Sequence, residues 1–137
     1  MMFKQTEALF ADLAKTLGLD GLVADANGGV QLEVGDSTSV ALFAEDEFTL
    51  LVVAPVTALP AQVDYGRVMW ILRRNHYDSP IAPFRIACDR AGSIVLWGRL
   101  PVEGMTGEQL ATIVDTLATE ADLIRDEVDV DQAAVAA

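Results

Sequence analysis

Three consecutive segments of this chain alternate apolar and polar residues with a period of two, and only short turns separate them. In the first, Val30, Leu32 and Val34 alternate with Gln31 and Glu33. Gly35-Asp36 turns the chain, and Val40 and Leu42 then alternate with Ser39 and Ala41 as far as Phe43. After the charged turn Glu45-Asp46-Glu47, Phe48, Leu50 and Val52 alternate with Thr49, Leu51 and Val53. Successive residues of a strand point to opposite faces, so each run offers one apolar face. Connections this short join antiparallel neighbours, which predicts a meander with one buried side. The third run is apolar on both faces from Leu50 to Val53, which predicts a central strand.

The period changes after Pro55 and Pro60. From Val63 to Tyr77 the sequence reads as a helix: Tyr65, Val68, Met69 and Leu72 recur at helical spacing on one stripe. Trp70 and Val63 fall nearly opposite, with Ile71 on the flank. A helix of a small domain needs one apolar face, and this one has two. Either its own domain covers both sides, or its sheet takes one and a second copy of the chain takes the other. Beyond Pro80 and Pro83, Phe84, Ile86 and Cys88 alternate with Arg85 and Ala87. The turn Asp89-Arg90-Ala91-Gly92 follows, and Ile94 and Leu96 alternate with Val95 and Trp97 before Leu100-Pro101, giving a second hairpin.

A helix is predicted at each end. Phe3 to Leu17 carries Phe3, Phe10, Leu13 and Leu17 on one face and stops at Gly18. Leu19 and Leu22 then return the chain to the core, and Ala26-Asn27-Gly28-Gly29 is turn chemistry. Thr106 with Gln109 forms a capping box, and Leu110, Ile113, Val114, Leu117, Ala121 and Ile124 follow at helical spacing. The reading is therefore an α+β fold of order α-β-β-β-α-β-β-α, with helices packed on a twisted antiparallel sheet. Residues 1–128 form one domain, and the acidic, Ala-rich residues 129–137 are expected to be disordered.

Composition narrows the function. The chain has 137 residues, 52% of them apolar, and a mean hydropathy of +0.32. That is too apolar for disorder and leaves surface for a partner to cover. No apolar run is long enough for a membrane span, and the charged N-terminus is unlike a signal peptide. Nine basic against 21 acidic residues give a net charge of −12, which repels nucleic-acid phosphates. The single cysteine, Cys88, suits a reducing cytoplasm.

Little in the chain suggests catalysis. His76 and Cys88 are the sole residues from which a thiol–imidazole pair could be built, and Cys88 shares an alternating face with Phe84 and Ile86, as a small buried hydrophobe does. One His and one Cys cannot complete a tetrahedral metal site, and Glu45-Asp46-Glu47 lacks the spacing of a calcium loop. No phosphate-cradling glycine motif occurs. Arg67, Arg73 and Arg74 form the one basic concentration, suited to flanking an interface, pairing with acids or, less readily, holding a phosphate. The remaining feature is surplus apolar surface, which fits either dimerisation alone or capture of an extended peptide by strand addition and side-chain pockets.

The ordered pattern resembles the class I chaperones of type III secretion over roughly Phe3 to Val128. The similarity lies in LAKTLGLDGL closing the first helix, in Asp25, Asn27 and Gly28 before Val30–Val34, and in SVALF, FTLLVV and the Leu59-Pro60 break. It continues through Ile71-Leu72-Arg73-Arg74-Asn75, Ile86-Ala87-Cys88-Asp89, Ile94-Val95-Leu96 and Arg99-Leu100-Pro101. The chain departs from the family at Asp122-Leu123-Ile124, where relatives often carry a large aromatic. The resemblance implies a cytoplasmic bacterial homodimer joined through the middle helix, with no catalysis, cofactor or ATP use. It implies that the N-terminal segment of one or more secreted effectors wraps around the dimer in extended form and stays export-competent. Effector contacts are then expected at Phe10, Leu13, Leu17, Val30, Leu32, Val40 and Leu42, and dimer contacts at Val63, Arg67, Trp70, Ile71 and Arg74. The export machinery, including its ATPase, would be a further partner. The alternative is a regulatory or scaffold protein of the same fold that binds a folded partner outside secretion.

Overall fold

A computed structural model of the protein describes residues 3–26, 28–35, 38–59, 62, 65–79 and 81–136, with side chains as far as Val128. Its elements are α1 (Lys4–Thr16), β1 (Val30–Val34), β2 (Thr38–Ala44), β3 (Thr49–Ala58), α2 (Tyr65–Arg74), β4 (Arg85–Cys88), β5 (Ser93–Pro101) and α3 (Gly107–Ala136). The order is the one read from the periodicities. The five strands form one sheet, β1-β2-β3-β5-β4, with every neighbouring pair antiparallel. The meander and the second hairpin are both present, and β3 is central, as its two apolar faces require. The β4–β5 hairpin joins the meander through β5, which leaves β1 and β4 as the edges.

Register assigns the faces. Val30 stands opposite Leu42, Leu42 opposite Val52, and Ala54 opposite Leu96, so one face is continuously apolar. α3 crosses this face over β2 and β3, and α1 packs on α3. Leu13, Val40, Leu42, Leu50, Leu96 and Leu117 are fully buried in the resulting core. On the other face Ala41, Val53 and Trp97 form a cross-strand row of half-buried side chains that ends at exposed Arg85.

The helix ends show why the chain stops and starts where it does. α1 ends at Gly18, whose φ of +72° is one a side chain would resist. The capping box of α3 is formed in both directions. The Thr106 amide donates to Gln109 Oε1 at 3.0 Å, and the Gln109 amide donates to Thr106 Oγ1 at 3.1 Å. α3 holds no glycine or proline after Gly107, and its alanines favour helix. The helix accordingly runs to Ala136, through residues 129–136 that were expected to be disordered. Arg125 ties α3 to the sheet, donating from Nε to the Val56 carbonyl at 2.9 Å and from Nη1 to Thr38 Oγ1 at 3.2 Å.

Candidate functional site

The site begins with the free edge of β1. Apart from an isolated bridge between Ala24 and Val30, no described strand pairs with that edge. Its amides and carbonyls are arranged for another strand. The second edge, β4, is guarded differently. The Ile86 amide donates to Asn75 Oδ1 at 2.8 Å, so the end of α2 occupies part of it.

Beside β1 lies a groove of about 570 Å³. Leu17, Leu19, Leu22 and Val23 form one wall, Ala111 and Val114 of α3 the other, and β1 runs along it. Gly18 places the first wall there by turning the chain across the end of α1, where the Leu19 amide bonds the Ala14 carbonyl at 2.8 Å. Leu17 is 43% exposed, Leu19 49% and Val23 90%. Leu22 is half-buried, whereas Leu19 opens to solvent and does not return to the core as the sequence suggested. Among the described residues, Glu33 and Asp115 are the charged ones lining the groove, and no Lys, Arg or His lines it.

The expected effector-contact residues divide sharply. Phe10, Leu13, Val30, Leu32, Val40 and Leu42 are all buried in the chain's own core, while Leu17 alone is exposed. The reason is that Val40 and Leu42 lie on the sheet face that α3 covers, and α1 turns Phe10 and Leu13 inward. Leu17, Val30 and Leu32 still line the groove, and Phe10 borders a neighbouring depression that shares Leu19 and Leu22. Leu19, Val23 and Val114 also line the groove: the sequence had assigned Leu19 to the core and Val114 to the periodic stripe of the last helix, and had not named Val23. The signal for Leu19 and Val23 was the position of Gly18, which turns the segment after it back alongside β1.

On α2 the residues that the resemblance implied for a dimer contact lie on the side that meets the chain's own domain. Arg67 pairs with Glu127, and Arg74 Nε donates to Glu120 Oε1 at 2.6 Å with its guanidinium 4.9 Å from the Trp70 ring centre. Trp70 and Ile71 pack against the core. These four expected dimer residues therefore hold α2 to its own domain, and Val63 lies outside the described residues. The open face is the other stripe: Tyr65 is 79% exposed, Val68 41% and Leu72 56%. The paired spacings Arg67/Arg74 and Glu120/Glu127, each seven residues, are the sequence signal that could have oriented the helix.

The remaining chemistry is sparse. Cys88 is exposed at the end of β4, not buried as its alternation suggested. His76 Nδ1 accepts from the Asp78 amide at 3.2 Å, and its ring lies 4.0 Å from that of Tyr77. Among the described residues no group of three His, Cys, Asp or Glu side chains could hold a metal. At the β2–β3 turn, the hydrogen bond and charge of Glu45 raise the Arg99 pKa above its ordinary value. Among the described residues no helix is long and apolar enough to cross a membrane.

Comparison with known proteins gives this geometry a family. Residues 8–125 match the Tir chaperone protein (CesT) family. The type III secretion chaperone SycH of Yersinia pestis, solved with a stable fragment of YscM2, superposes with a TM-score of 0.73. It is 24% identical, over 86% of this chain and 98% of SycH. The SpcU-containing ExoU–SpcU complex of the Pseudomonas aeruginosa type III secretion system gives a TM-score of 0.73 at 19% identity, over 86% and 96% of the two chains. The HopA1–SchA chaperone–effector complex gives 0.72 at 15% identity, over 89% and 94%. No curated protein sequence matches significantly. At these identities the structural likenesses establish the fold, and the match across most of the sequence establishes the kinship: the chain belongs to the Tir chaperone (CesT) family.

Proposed function

We propose that this protein is a cytoplasmic type III secretion chaperone that binds the N-terminal segment of a secreted effector in extended form and keeps it export-competent. The open edge of β1 beside an apolar groove carries this reading, because an unfolded segment offers what both lack: backbone partners and alternate apolar side chains. Binding requires no turnover. Family membership supports a holding role, and the exposed Cys88 and the turn-bound His76 add no catalytic arrangement to it. The HopA1–SchA neighbour, a chaperone–effector complex, favours this over a scaffold that binds a folded partner.

The functional unit is a homodimer joined through the outer stripe of α2, where Tyr65, Val68 and Leu72 present an apolar surface that the single chain leaves in water. Cargo then occupies the β1 groove of each protomer, away from that stripe. Co-expression with the effector encoded nearby tests the reading. The wild type is expected to retain the effector's N-terminal fragment on affinity resin and hold it in the soluble fraction. A Leu17→Glu chain, altered at an exposed groove position, is expected to lose it. Equal recovery with both chains, or with neither, contradicts the proposal.

A further inference from the structure

The groove beside β1 has a polarity as well as a shape. Glu33 stands on β1 toward the sheet's outer face, since it alternates with the buried Leu32. Asp115 stands on α3 at the opposite wall. Neither carboxylate has a partner among the described residues. The neighbouring outward residue, Gln31, is already engaged, donating from Nε2 to Ser39 Oγ at 3.1 Å. Glu33 is therefore the unspent polar group on the outer face of β1, and among the described residues no cationic side chain lines the groove to answer either acid.

We infer that the groove selects its cargo by charge. The segment it takes alternates apolar residues on one side with a Lys or Arg on the other, at the position opposite Glu33. This rests on the strand-addition reading above and adds a rule to it. A strand laid on the free edge of β1 puts every second side chain toward Leu22 and Val114. The intervening ones stand beside Gln31 and Glu33. The side chain opposite Glu33 lies within about 5 Å of it at the β-carbons, where an opposite charge stabilises and a like charge repels. Asp115 extends the same preference to a basic residue at the margin of the segment. An acidic segment of equal hydrophobicity meets both carboxylates and the field of a chain carrying −12.

Fluorescence anisotropy with three labelled peptides tests the rule. Each has about nine residues, a length typical of strands. Each alternates Val with Ser and differs only in a central outward residue that is Lys, Ser or Glu. The Lys peptide is expected to bind the wild type about fivefold more tightly than the Glu peptide at low salt, with the gap narrowing as salt rises. Glu33→Lys is expected to invert the order, while Asp78→Lys, which makes the same change in net charge at a distant exposed site, leaves it intact. Equal affinities for the three peptides, or equal effects of the two substitutions, would overturn the charge rule while leaving strand addition in place. Failure of all three peptides to bind would overturn strand addition itself, and the rule with it.

Discussion

Asp12 and Gly107 are 95 positions apart, yet Asp12 Oδ2 accepts the Gly107 amide hydrogen at 2.6 Å and so supplies the first turn of α3 with an acceptor. Gly107 lies so close on the α1 backbone at Asp12 and Leu13 that a β-carbon would collide with it. Asp12→Ala should lower the unfolding free energy by about 1 kcal/mol, the usual worth of a lost cap. Gly107→Ala should cost about 2 kcal/mol through overpacking, although alanine is the better helix former. Urea denaturation of both variants checks this, and a stabilised Gly107→Ala protein would contradict the close approach. The capping box beside these residues was legible in the sequence because its two members are three positions apart. The Asp12 contact was not, since nothing local announces which distant amide a surface carboxylate will meet. Cys88 was misread for a related reason: alternation gave its face but not that β4 ends there.

At the scale of elements, α2 is the instructive case. Its helical period was plain, and so were its two apolar surfaces. Their roles were set by partners on α3: Glu120 and Glu127 fix Arg74 and Arg67, and that turns Trp70 and Ile71 inward. Glu120→Ala should leave the half-buried Arg74 guanidinium without its acceptor and cost about 2 kcal/mol, measured by thermal or urea unfolding. Trp70→Ala should lower stability by a similar amount, about 2 kcal/mol for a partly buried aromatic. Leu72→Glu should leave the fold of the single chain intact, because Leu72 is exposed, and should convert the dimer to a monomer in light scattering. A Leu72→Glu protein that remains dimeric, or a Trp70→Ala monomer of unchanged stability, would reverse the assignment of faces. The strands were easier to read than this helix. Period-two runs gave their number, order and pairing, whereas the insertion of β5 between β3 and β4 depends on how α2 crosses over, which no period records.

For the whole molecule, the sequence correctly indicated more apolar surface than one core consumes, but not where the surplus would lie. Residues that share an alternating face are equivalent in the sequence, and the position of α3 decides which of them are core. Thus Val40 and Leu42 went inside, while Leu17, Leu19 and Val23 stayed in solvent beside β1. The same separation leaves two apolar surfaces, the outer stripe of α2 and the β1 groove, which the proposal gives to a twin subunit and to cargo respectively. Net charge belongs at this scale too. Because the groove's charged lining among the described residues is acidic, affinity for a cargo with the proposed basic residue should fall as salt rises from low to physiological ionic strength, with the apolar part of the binding surviving. Titrations at two salt concentrations read this directly, and a salt-independent affinity would confine recognition to apolar contact.

The central claim is that cargo joins the sheet as a strand along β1. Hydrogen–deuterium exchange of the protein, alone and bound to an effector's N-terminal fragment, addresses it residue by residue. The account predicts slowed exchange at residues 30–34 and in the groove wall at 17–23, with α2 unchanged by cargo. Protection confined to α2 or β4, with β1 exchanging as fast as in the free protein, would contradict it.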